Sequence, residues 1–158
     1  MNIFSKHFVS RTIYGSIITL AVLFILDRNP PEPWSAVGML LGTALAVALA
    51  ETFSQTIAEM IAGSKRLDAQ GLLTIWRQTR PILISANLPT VVMILAAGGV
   101  FSIGMAITIA KVLQYLVLFL SGLQIGRILH ESRPRILASA MFTAGIGGLI
   151  SLFKVLFH

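Results

Sequence analysis

Glu51, Gln55 and Glu59 recur every fourth residue within the run Ala50 to Met60, a spacing that puts all three on one face of a helix. Two carboxylates bracketing an amide can take up and release protons or hold a cation. Thr52 and Thr56 widen this polar strip on the adjoining face. The residues on either side are largely apolar, so the strip lies where lipid would forbid it. A carboxylate at the centre of a membrane helix costs roughly 2.5–3.5 kcal/mol on insertion scales. Glu51 therefore requires a partner or water, whereas Glu59 is near enough to the helix end to reach the surface.

Lys111 is the basic residue lying deepest in an apolar stretch. Counting ~1.5 Å per residue from the outer surface puts Glu51 ~22 Å deep and Lys111 ~15 Å deep, a gap that a lysine side chain spans. Two readings follow for a Glu51–Lys111 pair. It is a buried ion pair that fixes helix register, or it belongs to a proton- or ion-coupled site in which a dry environment shifts the charge states. Asn87 and Pro89 make a second irregular spot, because Pro89 cannot bond the carbonyl of Ser85 and a kink is expected there. Freed carbonyls that line a cavity can coordinate cations.

Enzymatic chemistry has no evident carrier. Cysteine is absent, which removes thiol nucleophiles, thiolate metal sites and disulfides. His7, His130 and His158 show no ligand spacing, and no hydrolase, phosphate-loop or metalloprotease pattern is present. The expectation is no catalytic residue, no metal and no cofactor.

The elements that must position these groups are long apolar helices. Hydrophobic residues make up 56% of the 158 and charged ones only 11%, against about 25% charged in a soluble domain. Stretches of spanning length fall at 8–26, 35–62, 81–99, 101–125 and 136–157. Pro30, Pro31 and Pro33 separate the first two, and Pro81 and Pro134 stand where later helices would begin. The first apolar run ends in Asp27-Arg28-Asn29-Pro30 without the small residues of a cleavage site, so it reads as an uncleaved helix.

Lys6, Arg11, Lys65, Arg66, Arg77, Arg80, Arg127, Arg133 and Arg135 fall on one side of this arrangement and Arg28 and Lys154 on the other. Basic residues collect on the cytoplasmic side, giving an N-in, C-out order. The net charge of +6 is thus a topology signal rather than a nucleic-acid footprint. Between the second and third stretches, residues 64–80 carry Leu72, Ile75, Trp76 and Thr79 on one helical face. That pattern predicts a short interfacial helix, with Lys65, Arg66, Arg77 and Arg80 at an anionic membrane surface, or a continuation of helix 2 into the cytoplasm. The fold expectation is a single all-α domain over 1–158: a polytopic membrane protein of about five helices.

Helix 2 carries a second pattern. Gly38, Gly42, Ala46, Ala50 and Ser54 form a small residue ladder that continues through Ala58 and Ala62. Lipid tails provide no hydrophobic drive for helix association, so such ladders allow close backbone approach. They place helix 2 at the centre of the bundle rather than against lipid. Gly122 and Gly126 suggest a similar close approach in helix 4.

The opening Arg11-Thr-Ile-Tyr14-Gly15, the five helices and the long helix 2 resemble the vacuolar iron transporter family. Small bacterial membrane proteins sharing the Arg-x-x-Tyr-Gly opening and an ending like Leu152-Phe-Lys154-Val-Leu are more similar still. The resemblance implies a dimer in a bacterial inner membrane, with a small cation exchanged for protons near the midplane. Where that family has an aspartate soon after the glycine, this chain has Ser16, Ile17, Ile18 and Thr19. Of the family's metal ligands, Glu51 and Met60 alone have counterparts. Together these features point to a small oligomeric transporter or channel. The competing reading is a non-transporting protein that binds lipid or another membrane protein.

Overall fold

The protein is described from a computed structural model covering residues 3–63 and 68–156, with the side chains of 3–7, 151, 154 and 155 outside that description. The described residues form five helices: α1 Ile3–Arg28, α2 Pro33–Gly63, α3 Ala69–Ala97, α4 Ile103–Ile128 and α5 Arg133–Leu156. Among these residues, four segments are long and apolar enough to cross a membrane: Phe8–Arg28, Pro33–Gly63, Ala69–Ala97 and Ile103–Ile128. Their outer faces carry Phe53, Ile61, Val112 and Leu120, each more than half exposed. So continuous an apolar surface fits lipid as solvent.

Short connections make the helices alternate in direction. Where α1 turns into α2 and α3 into α4, one cluster gathers Val22, Leu23 and Leu26 with Ala36 and Leu40, Met93 and Ala96, and Ile107 and Ala110. Glycine shapes the second of these turns. Gly99 has φ +81°, a conformation that a side chain disfavours, and this lets the amide N–H of Val100 reach back to Leu95 O at 3.0 Å. Ser102 then caps α4, its hydroxyl accepting from Met105 N–H.

Two further glycines set helix spacing. A Cβ at Gly15 would lie 3.0 Å from Ile82 Cα, and one at Gly122 would lie 2.5 Å from Ala140 Cα. Backbone thus passes against backbone where α1 crosses α3 and where α4 crosses α5, the latter as expected for Gly122. Gly126 makes the same approach to Ile136.

Three sequence expectations need correction. Residues 69–80 do not form a separate interfacial helix, because α3 runs unbroken through Pro81. Asp68 starts it, with Oδ1 accepting from Gly71 N–H at 2.8 Å. Of the face assigned to lipid, Ile75 and Thr79 turn inward and are buried while Leu72 stays exposed. That packing outweighs the one helical bond lost at Pro81. Lys65 and Arg66 lie outside the described residues, and Arg77 and Arg80 are exposed on α3.

The second correction concerns α2. Gly38, Gly42, Ala46, Ala50 and Ser54 are all exposed, and nothing lies within 4 Å of a Cβ built on Gly38 or Gly42. The face that packs inside is Ala36, Leu40, Ala44 and Ala48. The two ladders are offset by two residues, about 200° around a helix of 3.6 residues per turn, so burying one turns the other outward. The third correction is that Lys111 does not meet Glu51; its partner is described below.

Candidate functional site

At the end of the bundle opposite the apolar cluster, α1, α2 and α3 separate enough to leave a cavity of about 500 Å³. From α1 come Ser10, Arg11 and Tyr14, from α2 come Glu51, Gln55, Ala58 and Glu59, and from α3 comes Gln78. Every lining residue but Ala58 brings a polar group. The polar strip on α2 enters because it lies just beside the buried Ala44–Ala48 face, one helical step toward α1.

Within the cavity Gln55 Nε2 donates to Glu51 Oε1 at 2.5 Å. This bond occupies one carboxylate oxygen and holds the pair along the helix axis. On the same helix the Thr52 and Thr56 hydroxyls donate to Ala48 O and Thr52 O, at 2.7 and 2.8 Å. Those threonines therefore satisfy themselves on their own backbone and leave the carboxylates as the free acceptors.

Arg11 faces this strip. It is 7% exposed, and its Nη1 is enclosed without a hydrogen-bond partner. Among the described residues, no carboxylate oxygen lies within ion-pair distance, 4.0 Å, of the guanidinium. In the sequence Arg11 reads as a topology charge. The signal that marks it as more is depth: it stands inside the span that begins at Phe8.

Lys111 belongs to the other end. Its Nζ donates to Asp27 Oδ2 at 2.7 Å and sits 5.1 Å from the centre of the Phe24 ring, a cation–π distance. Asp27 closes α1 on the side away from the cavity, so the lysine stretches toward its own nearest surface.

Pro89 is buried, and the Ser85 carbonyl that it cannot bond is taken by Gln114, whose Nε2 donates to it at 2.7 Å. Gln114 is fully buried. This carbonyl is thus spent on joining α4 to α3. Asn87 points outward and is exposed. Of the residues singled out from sequence, the fold brings together Glu51, Gln55 and Glu59, adds Arg11, and leaves out Lys111, Asn87 and Pro89.

Among the described residues, no group of three or more His, Asp or Glu side chains is placed to hold a metal ion. No family model, no curated protein and no solved structure matches this chain.

Proposed function

We propose that the chain is a small transporter or channel-like protein of a bacterial inner membrane, and that its solute passes through the cavity between α1, α2 and α3. The observation that carries this reading is the cavity's lining: two carboxylates, two amides, a phenol and a guanidinium inside helices of spanning length and hydropathy. Such groups are expensive at membrane depth unless water or a solute meets them. Glu51 is the group through which a proton or small cation would couple. The end bearing Arg77, Arg80, Arg127, Arg133 and Arg135 would face the cytoplasm by the charge bias, so the cavity opens inward, with the N-terminus in and the C-terminus out. Purified protein in proteoliposomes tests this: proton or cation flux above that of empty vesicles is expected and should be lost in Glu51→Gln. Flux equal in both proteins would overturn the role of Glu51.

A second reading rests on the uncovered face of α2. Gly38 and Gly42 meet nothing, and small-residue ladders are the usual seam between membrane helices. This supports a homodimer through α2, compatible with transport, or an assembly protein that transports nothing. Absence of any flux from a dimeric preparation would favour the latter.

A further inference from the structure

The charges in the cavity are arranged as a gap between unlike signs. On one wall is the Arg11 guanidinium, nine-tenths buried, with Nη1 unbonded. On the other are Glu51 and Glu59 from α2, more than 4.0 Å away from it. Arg11 lines the cavity with Nη1 lacking a partner, and an anionic oxygen entering the cavity would answer its donor fork with charge-assisted hydrogen bonds. A simple anion there would confront two carboxylates. A simple cation held by those carboxylates would leave the arginine unanswered.

From this we infer that the cavity binds a small zwitterion, its phosphate or carboxylate on Arg11 and its primary ammonium between Glu51 and Glu59. The inference deepens the transporter reading and rests on the cavity being its solute site. With Gln55 fixing one Glu51 oxygen, the other carboxylate oxygens remain for the ammonium, and Gln78 and Tyr14 supply neutral partners at the rim. About 500 Å³ exceeds what an amino acid fills and accommodates a phosphoethanolamine head. The same pair of charges is carried by free solutes and by the phosphatidylethanolamine headgroup.

Full-length protein in detergent, titrated separately with phosphatidylethanolamine, phosphatidylglycerol, phosphoethanolamine and glycine, and read by native mass spectrometry, tests this. Retention of phosphatidylethanolamine over phosphatidylglycerol, which has the phosphate but no ammonium, is expected for a lipid source. Retention of phosphoethanolamine or glycine with no preference between the lipids identifies a free solute, and either result supports the inference. Binding should weaken roughly 10- to 100-fold in Arg11→Gln and in Glu51→Gln/Glu59→Gln, the worth of a hydrogen bond to a charged group. Arg11→Lys keeps the charge without the fork and should fall between. Should Arg11→Gln fail to fold, the carboxylate variant and the ligand preference of the unaltered protein still decide. Equal retention of both lipids without phosphoethanolamine or glycine, binding indifferent to these substitutions, or no retention overturns the inference. Glu51-dependent cation flux without zwitterion binding would sink it while leaving the transporter reading intact. Zwitterion binding without any flux would do the reverse.

Discussion

Replacing Gln114 by leucine removes the donor that holds the Ser85 carbonyl, and the size of the loss should depend on what stands at position 89. Burying a carbonyl without a partner costs about 1–3 kcal/mol, while hydrogen bonds between membrane helices average about 0.6 and reach about 1.7 kcal/mol. Leucine restores most of the volume and also removes the Gln114 Oε1, which is buried without a partner. Both effects pull the expected loss to about 1 kcal/mol. In Pro89→Ala the backbone regains an N–H at position 89, which can donate to Ser85 O in the ordinary helical way. Gln114→Leu should then cost close to nothing, so the two changes couple by about 1 kcal/mol. Reversible unfolding in bicelles by added dodecyl sulfate, followed by tryptophan fluorescence, measures all four corners of the cycle. Equal costs of Gln114→Leu in both backgrounds would show that the glutamine does not serve the carbonyl freed by proline.

Leucine at two glycines should give opposite results. Gly122→Leu drives a side chain into the Ala140 backbone and should lower stability by about 1–3 kcal/mol or more. Gly42→Leu meets nothing within the chain, so the monomer should stay within about 0.5 kcal/mol while dimerisation through α2, read by crosslinking in the membrane, is lost. The Lys111–Asp27 pair is 17% and 43% exposed at its two side chains, so Asp27→Asn should cost about 1 kcal/mol or less. The exchange Asp27→Lys with Lys111→Asp should restore stability, and an exchange between Glu51 and Lys111 should not.

The helices themselves were legible in the sequence because apolar length and proline punctuation report the solvent directly. So was the Gly122–Gly126 crossing, and so was the carbonyl released by Pro89, each a local consequence of one residue type. The inward face of α2 was not. The buried face with Ala36, Leu40, Ala44 and Ala48 and the exposed small-residue ladder both lack charge, and lipid and protein interior accept apolar side chains alike, so periodicity does not say which is buried. Pro81 read as a helix start because proline favours that position, but tertiary burial of Ile75 and Thr79 carried α3 through it. The partner of Lys111 is not legible in the sequence because Asp27 lies 84 residues away, at the end of the first apolar run. Depth alone paired the lysine with Glu51, and depth says nothing about which helices are neighbours. Within the site, the four-residue spacing gave Glu51, Gln55 and Glu59, and only the packing of α1 against α2 and α3 supplied Arg11.

Whether the cavity between α1, α2 and α3 is open to water from the side bearing the basic residues is the claim on which the rest depends. The chain has no cysteine, so Gln55→Cys carries a single thiol inside the cavity, and Leu49→Cys one on the exposed apolar face of α2. Both are treated with a membrane-impermeant maleimide in inside-out and right-side-out membrane vesicles. Labelling of Gln55→Cys in inside-out vesicles, much faster than that of Leu49→Cys and blocked in the opposite orientation, is the expected result. Labelling of Gln55→Cys no faster than Leu49→Cys from either side would mean that the polar groups are sealed from water, and the cavity would not be a solute site.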